Sequence, residues 1–309
     1  MSGLLLLAIA AELVAELVGT VAMLRRLDQD RRDQRRVTFR LSFPPDLTFA
    51  AVLSFVRTLT QLSPTRDLLA GHDSAAFEVI ASSTGIEHRV QLPAAASEAI
   101  LAQLGLISGL GVEEIDEIAN ITLPAATQLR LTSRYRTLRT DDPESADAAL
   151  LAAIGHLEPD EHLIWQVVAR PAGSALWPPK PDGTRTQAAP NLPFWPLMGP
   201  NYPASAADWK LKTSEPLFAA TLRIGARSGD LSRAKALVRR VQAVLHILRR
   251  PGLALVAQKL PASFVSPAMR RARTELVPGS LLNAAELVVL LGWPIGNPAL
   301  EQHRNGKRR

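Results

Sequence analysis

Residues 37–59 read VTFRLSFPPDLTFAAVLSFVRTL and contain the change from strand to helix that decides the fold. In the first part apolar side chains occupy every second position, which predicts a strand that ends before two prolines. Asp46 is suited to capping a helix, and apolar residues then recur at helical spacing over residues 49–59. The stretch therefore predicts a strand followed directly by an amphipathic helix.

The same succession of elements continues along the chain and then repeats. Strands are predicted at 75–81 and 86–92 around a hairpin turn, a helix at 95–104 and a strand at 112–118. This order is β-α-β-β-α-β, the ferredoxin-like arrangement. A second set is predicted with strands near 126–138, 162–170, 217–226 and 253–258. Its helices are predicted from 143, behind Asp142 as N-cap, and at 231–249, capped by Asp230 or a residue near it. The predicted fold class is α+β, with two ferredoxin-like units after an N-terminal membrane helix.

The predicted organisation of the chain has four parts. They are a membrane anchor with a basic juxtamembrane segment at 1–36, a ferredoxin-like domain at 37–120, a second one at 121–261 with an insertion at 172–216, and a linker helix with a basic tail at 262–309. The length of 309 residues is sufficient for two ordinary domains with appendages.

The composition is that of a globular protein, with 47% hydrophobic and 21% charged residues. The chain has no cysteine, which excludes disulfides, thiolate metal sites and cysteine nucleophiles. The net charge is +6 and comes mainly from arginine, which favours either contact with nucleic acid or an arginine-rich genome.

The apolar run at 4–24, LLLLAIAAELVAELVGTVAML, precedes an arginine-rich segment. Its length is enough for a membrane-spanning helix, and the arginines predict a single-pass protein with the bulk of the chain in the cytoplasm. Glu12 and Glu16 oppose this interpretation, since they lie on one helix face and are costly in a bilayer. If the helix is an anchor, the two carboxyl groups face a partner helix, are protonated, or keep the helix at the membrane interface; the alternative is an ordinary amphipathic helix.

The insertion is rich in proline and contains a third of the aromatic residues of the chain, five of 15. Aromatic side chains are enriched at protein interfaces, so five of them are candidates for contacting a partner. The alternative is that they fold back onto the sheet. The candidates are Trp177, Phe194, Trp195, Tyr202 and Trp209.

The sequence predicts no catalytic residue, no bound cofactor and no metal site, so the protein is predicted not to be an enzyme. The histidines lack metal-binding spacing, and His88 and His246 are interpreted as surface residues of a strand and a helix. No phosphate-binding Gly-rich loop ending in Lys-Ser or Lys-Thr occurs. Basic residues of the helix at 231–249 and just after it are candidates for contacting phosphates of nucleic acid, or simply solvate the outer helix face. They are Arg233, Lys235, Arg239, Arg240, Arg249 and Arg250.

Three segments resemble one family. LLNAAELVVLLGWPIGNP at 281–298, EPLFAATLRIGA at 215–226 and FRLSFPPDLTFAAVLSFVRTL at 39–59 resemble the region before the motor domain in conjugative type IV secretion ATPases of the TraG and HerA/FtsK-like kind from actinobacteria. In the first segment Asn283 and Glu286 have the spacing of a capping box.

The resemblance implies a non-catalytic scaffold component of a DNA-transfer assembly that lacks the motor. Its implied partners are the membrane and proteins of a secretion or conjugation assembly, or further copies of itself. A truncated ATPase gene product is a second interpretation, since EQHRNGKRR differs from the family's usual continuation. A nucleic-acid-binding accessory protein with weak, non-specific DNA binding is the alternative function.

Overall fold

The computed structural model describes residues 2–62, 71–116, 121–173, 206–275 and 279–296. The helices are α1 (Ser2–Gln34), α2 (Phe49–Thr58), α3 (Ala94–Leu104), α4 (Pro143–Ile154), α5 (Ala206–Lys212), α6 (Leu231–Val244), α7 (Ala262–Arg270) and α8 (Ala284–Val288). The strands are β1 (Arg36–Ser42), β2 (Ala75–Ser82), β3 (Gly85–Pro93), β4 (Gly111–Glu114), β5 (Ala125–Leu131), β6 (His162–Pro171), β7 (Leu217–Arg227), β8 (Leu255–Ala257) and β9 (Ser280–Asn283).

These strands form one antiparallel sheet of nine strands. Eight of them follow the order β4-β1-β3-β2-β6-β7-β5-β8, and β9 pairs with β7 beside β5. β5 pairs with the second half of β7 and β9 with its first half, so the two short strands line the same edge of the long one. The last segment of the described chain is therefore built into the sheet.

The centre of the sheet is the pairing of β2 with β6. It runs from Ala75 opposite Ala169 to Ser82 opposite His162, and the strand order is symmetric about it. The α+β class is confirmed, but the predicted pair of ferredoxin-like units is wrong, because this pairing joins the strands into one continuous sheet. The pairing also crosses the domain boundary predicted at residue 120, which itself lies outside the described residues.

One face of the sheet carries the hydrophobic core under α2, α3, α4, α6 and α8. Trp293, just after α8, is 1% exposed and contacts the rings of Phe43, Phe55 and Phe77. His88 also lies on this face, 6% exposed, with Nε2 2.9 Å from the Gly292 carbonyl oxygen. We predicted a surface position for His88, and that prediction is wrong.

Helix starts were predicted well from capping chemistry. Asp142 and Asp230 cap α4 and α6, and Asn283 with Glu286 forms the capping box of α8, which confirms these predictions. The start of α2 differs, since Thr48 rather than Asp46 caps it by accepting a hydrogen bond from the amide of residue 51.

Among the described residues, no helix is both long enough and apolar enough to cross a membrane. The predicted transmembrane anchor and single-pass localisation are therefore wrong. In α1, Glu12 and Glu16 place two ionisable groups within the apolar run, where burial in a bilayer is costly. The final turns of the helix are charged, and their carboxylates accept hydrogen bonds from Arg36 at the start of β1 and from Arg273 and Thr274 after α7.

Candidate functional site: the first helix and the surfaces around it

The end of α1 is held on the polar face of the sheet by a buried network. The Asp33 carboxylate accepts hydrogen bonds from Gln29, from the Arg36 guanidinium at 2.6 Å, and from both the amide and the hydroxyl of Thr274. Arg36 also donates to Ser74 and to the carbonyl of residue 272. We call Gln29, Asp33, Arg36, Ser74 and Thr274 the α1 clamp.

The clamp is a fully satisfied ion-pair network in the interior. The Asp33 and Arg36 side chains are each 2% exposed. Burial lowers the pKa of Arg36, and the nearby Asp33 carboxylate opposes that effect. Since breaking one member of such a pair leaves an uncompensated charge, the clamp fixes the direction of α1 relative to the sheet.

Further ion pairs hold the same end of α1. Arg273, after α7, makes two hydrogen bonds with the Asp30 carboxylate, at 2.7 and 2.5 Å. Arg32 bonds Asp28 at 2.8 Å within the helix and Asp73 at 3.0 Å beyond it. Three of the six arginines at 25–36 are therefore partners for carboxylates of the protein, namely Arg26, Arg32 and Arg36.

The preceding turns of α1 expose apolar side chains to solvent. The exposed fractions are 60% for Val14, 64% for Leu17, 49% for Val18, 65% for Met23, 45% for Leu24 and 46% for Leu27. Val14, Leu17 and Leu24 lie on one side of the helix, and an exposed apolar surface of this kind marks an interaction site in a folded protein.

A heptad pattern runs along this part of α1. Val14, Leu17, Val21 and Leu24 follow spacings of three, four and three residues, which places them on one stripe of the helix. Valine alternates with leucine, the arrangement that favours two-stranded coiled coils. The stripe ends where the clamped segment begins, because position 28, next in the pattern, is an aspartate that accepts a hydrogen bond from the Gly71 amide. We call these four residues the α1 seam.

Glu12 and Glu16 are both exposed and lie on the helix face opposite the seam. We predicted these two residues as the polar face of a membrane anchor, and in the structure they lie together on one exposed face of α1. It is opposite the apolar stripe, so both carboxylates remain in solvent when the seam is covered.

The six basic residues predicted to contact nucleic acid divide into two groups. Arg233 bonds the Glu161 carboxylate at 2.6 and 3.1 Å, and Arg240 donates to the carbonyl of residue 155. A nitrogen of Arg250 lies 3.9 Å from the Asp141 carboxylate. The remaining three are exposed, namely Lys235, Arg239 and Arg249. Contacts within the protein thus occupy half of the set, and DNA contact stays a prediction.

Of the aromatic residues predicted to contact a partner, the structure describes Trp209. It is half-buried in α5, and its carbonyl accepts hydrogen bonds from the amide and hydroxyl of Thr213. The other four lie outside the described residues: Trp177, Phe194, Trp195 and Tyr202.

Two buried polar features were missed by sequence reasoning. Lys212 in α5 and Glu286 in α8 form an ion pair at 2.6 Å with both side chains fully buried. On the polar face of the sheet, the Glu78 carboxylate accepts hydrogen bonds from Gln91 and Gln166. Burial raises the pKa of Glu78, and the bond from Gln166 is the largest opposing effect. Polar residues at alternate strand positions were the available signal for the second feature.

A cleft of about 270 Å³ lies between the connection after β5, helix α5 and the segment after α6. It is lined by Arg136, Thr137, Asp208, Arg250 and Pro251. Arg136 donates to the Pro251 carbonyl at 2.6 Å, so one wall is held by the protein itself. Within the described ranges, no group of three or more histidine and carboxylate side chains is arranged to hold a metal ion.

No family model matches the chain, and no curated protein matches it. The predicted role in secretion and conjugation therefore has no support.

Proposed function

We propose that the protein is a non-catalytic assembly component that pairs with a second copy of itself through the α1 seam. The observation that carries this proposal is the contrast within one helix. Its end is fixed by the α1 clamp, and its preceding turns expose apolar side chains in a coiled-coil pattern.

A second copy fits the seam better than an unrelated partner does. A two-fold pair of seams places valine against valine and leucine against leucine, so one surface satisfies both chains. The valine and leucine positions are those that specify two strands rather than three or four. The clamp contributes pre-organisation, because a helix already fixed at one end loses less freedom when it pairs.

The test is a matched pair of charge substitutions. Leu17→Glu places a carboxylate in the seam, and Met23→Glu places one on the opposite face. The two original side chains are 64% and 65% exposed, so both substitutions change the free surface equally. Analytical ultracentrifugation of the full chain at several concentrations measures the mass.

We expect a concentration-dependent dimer for the wild type and for Met23→Glu, and a monomer for Leu17→Glu. A carboxylate buried at an apolar interface is desolvated without a partner, which costs several kcal/mol. A wild type that is still monomeric at about 100 μM would contradict the proposal, because this concentration is far above the nanomolar dissociation constants of stable complexes. Equal dissociation by both substitutions would also contradict it.

A further inference from the structure

Arg170 carries a positive charge that the described protein does not compensate. It is the last but one residue of β6 and is 6% exposed. Within the parts of the chain that the structure describes, its guanidinium donates no hydrogen bond and meets no carboxylate. Burial lowers its pKa to about 10, and the neighbouring charge that adds to this effect is another arginine, Arg25. Arg170 is therefore still charged at neutral pH.

The fold brings α1 to this position. The pairing of β2 and β6 ends with Ala75 opposite Ala169, so the residue before β2 lies beside Arg170. The segment leading into β2 is held on α1, since Gln29 exchanges hydrogen bonds with the amide and carbonyl of His72. Arg25 lies one helical turn before Gln29 on the same face.

His72 completes the cluster. Burial lowers its pKa to about 4, and the charges of Arg170, Arg25 and Arg32 add to that effect. Its ring is neutral at pH 7 and therefore offers one N–H donor and one acceptor. Asp73 is the one carboxylate among the groups acting on this histidine, and it bonds Arg32 at 3.0 Å.

We propose that Arg170 and Arg25, with His72 beside them, bind a phosphate-sized oxyanion. A buried cation beside a second cation is costly unless an anion compensates both. A doubly charged phosphate neutralises two arginines, whereas a carboxylate neutralises one. Guanidinium groups also match the geometry of phosphate oxygens, to which each can donate two parallel hydrogen bonds.

The test measures binding of inorganic phosphate to the full chain by isothermal titration calorimetry at constant ionic strength. A second arm uses glycerol 3-phosphate, which distinguishes a free anion from the phosphoryl group of a larger molecule. A third arm uses acetate. Arg170→Met keeps the aliphatic stem of the side chain and removes the charge. Arg239→Met removes an exposed arginine of α6 and is the control.

We expect saturable phosphate binding to the wild type and to Arg239→Met, and acetate binding at least ten-fold weaker. Arg170→Met should bind phosphate at least about ten-fold more weakly, because charge-assisted hydrogen bonds are lost. In phosphate-free buffer it should melt no lower than the wild type, because an uncompensated buried charge has been removed.

Equal phosphate affinity of Arg170→Met and wild type overturns the proposal, as does the absence of saturable binding to the wild type. If Arg170→Met does not fold, Arg25→Met at a half-buried helix position gives the same comparison. This result is independent of the proposed pairing of α1, since phosphate binding is read out by calorimetry and not by mass.

Discussion

Substitution of Lys212 by methionine tests whether the buried ion pair stabilises the fold. Lys212 Nζ lies 2.6 Å from Glu286 Oε2, and both side chains are fully buried. The Glu286 carboxylate also accepts hydrogen bonds from the amides of Leu138, at 2.8 Å, and Asn283, at 2.7 Å. The pair thus connects α5, the start of α8 and the connection after β5.

The expected cost follows from what each substitution leaves behind. Lys212→Met leaves the carboxylate buried with its two backbone donors, so we expect a loss near the lower end of the range for broken buried pairs, about 3 kcal/mol. Glu286→Gln leaves the ammonium without a countercharge, and we expect about 3 to 5 kcal/mol. The double variant has no unpaired charge, so its cost should be smaller than the sum by about 2 kcal/mol.

The assay is equilibrium urea unfolding of the wild type, both single variants and the double variant, with a common m-value as the check on two-state behaviour. Asp141→Asn is the control, because it breaks the exposed ion pair with Arg139 and should leave the midpoint unchanged. A loss below about 1 kcal/mol for Lys212→Met, or strictly additive single losses, would refute the reasoning.

Two pH-dependent predictions rest on other buried groups. The Asp147 carboxylate is fully buried and accepts no hydrogen bond from the residues that the structure describes. Burial raises its pKa well above the ordinary value. The native state therefore binds the proton more tightly than the unfolded state does. Above pH 3.8 the stability of the wild type should fall relative to that of Asp147→Asn, by up to about 1.4 kcal/mol per pH unit until the native pKa is passed. Parallel profiles of thermal stability against pH for the two proteins would exclude this effect. Burial lowers the pKa of His88 to about 4, so the stability of the protein should fall between pH 6.5 and pH 4. The fall should be about 3 kcal/mol larger in the wild type than in His88→Gln. Urea unfolding at both pH values measures the difference, and an equal fall in both proteins contradicts the prediction.

Local chemistry was readable from the sequence because it depends on neighbouring residues. Asp142, Asp230 and the pair Asn283 and Glu286 cap helices within three positions of themselves, and all were predicted. Thr48 was missed at α2 because Asp46, two residues earlier, is an equally good cap in isolation. Such a choice depends on the path of the chain out of β1.

At His88 the two-residue period of the strand indicates the core face, but the polarity of the side chain led us to predict a surface position. Val90 and Leu92 lie on the core face of β3, and period two places residue 88 on that face too. The polar ring is accommodated because the Gly292 carbonyl, far away in sequence, lies at hydrogen-bonding distance. No local signal identifies that acceptor.

Local sequence patterns also could not predict that β2 pairs with β6 to form one sheet. β2 and β7 are buried along nearly their whole lengths, which indicates central strands but does not identify their neighbours. The pairing of Ala75 with Ala169 links positions that no turn or hairpin connects. Sequence periodicity predicted the strands, and the long-range pairing decided the architecture.

The error at α1 has a specific electrostatic cause. An arginine cluster after an apolar run predicts a membrane anchor only when those arginines remain available to the membrane surface. Here aspartates occur among the arginines, so Arg32 forms an ion pair with Asp28 and Arg36 forms one with Asp33. Asp30 forms an ion pair with Arg273, which follows α7. Because these ion pairs fix the end of α1 to β1 and to the segment after α7, the apolar turns before it extend from a fixed base. That is the geometry that the proposed pairing through the seam requires.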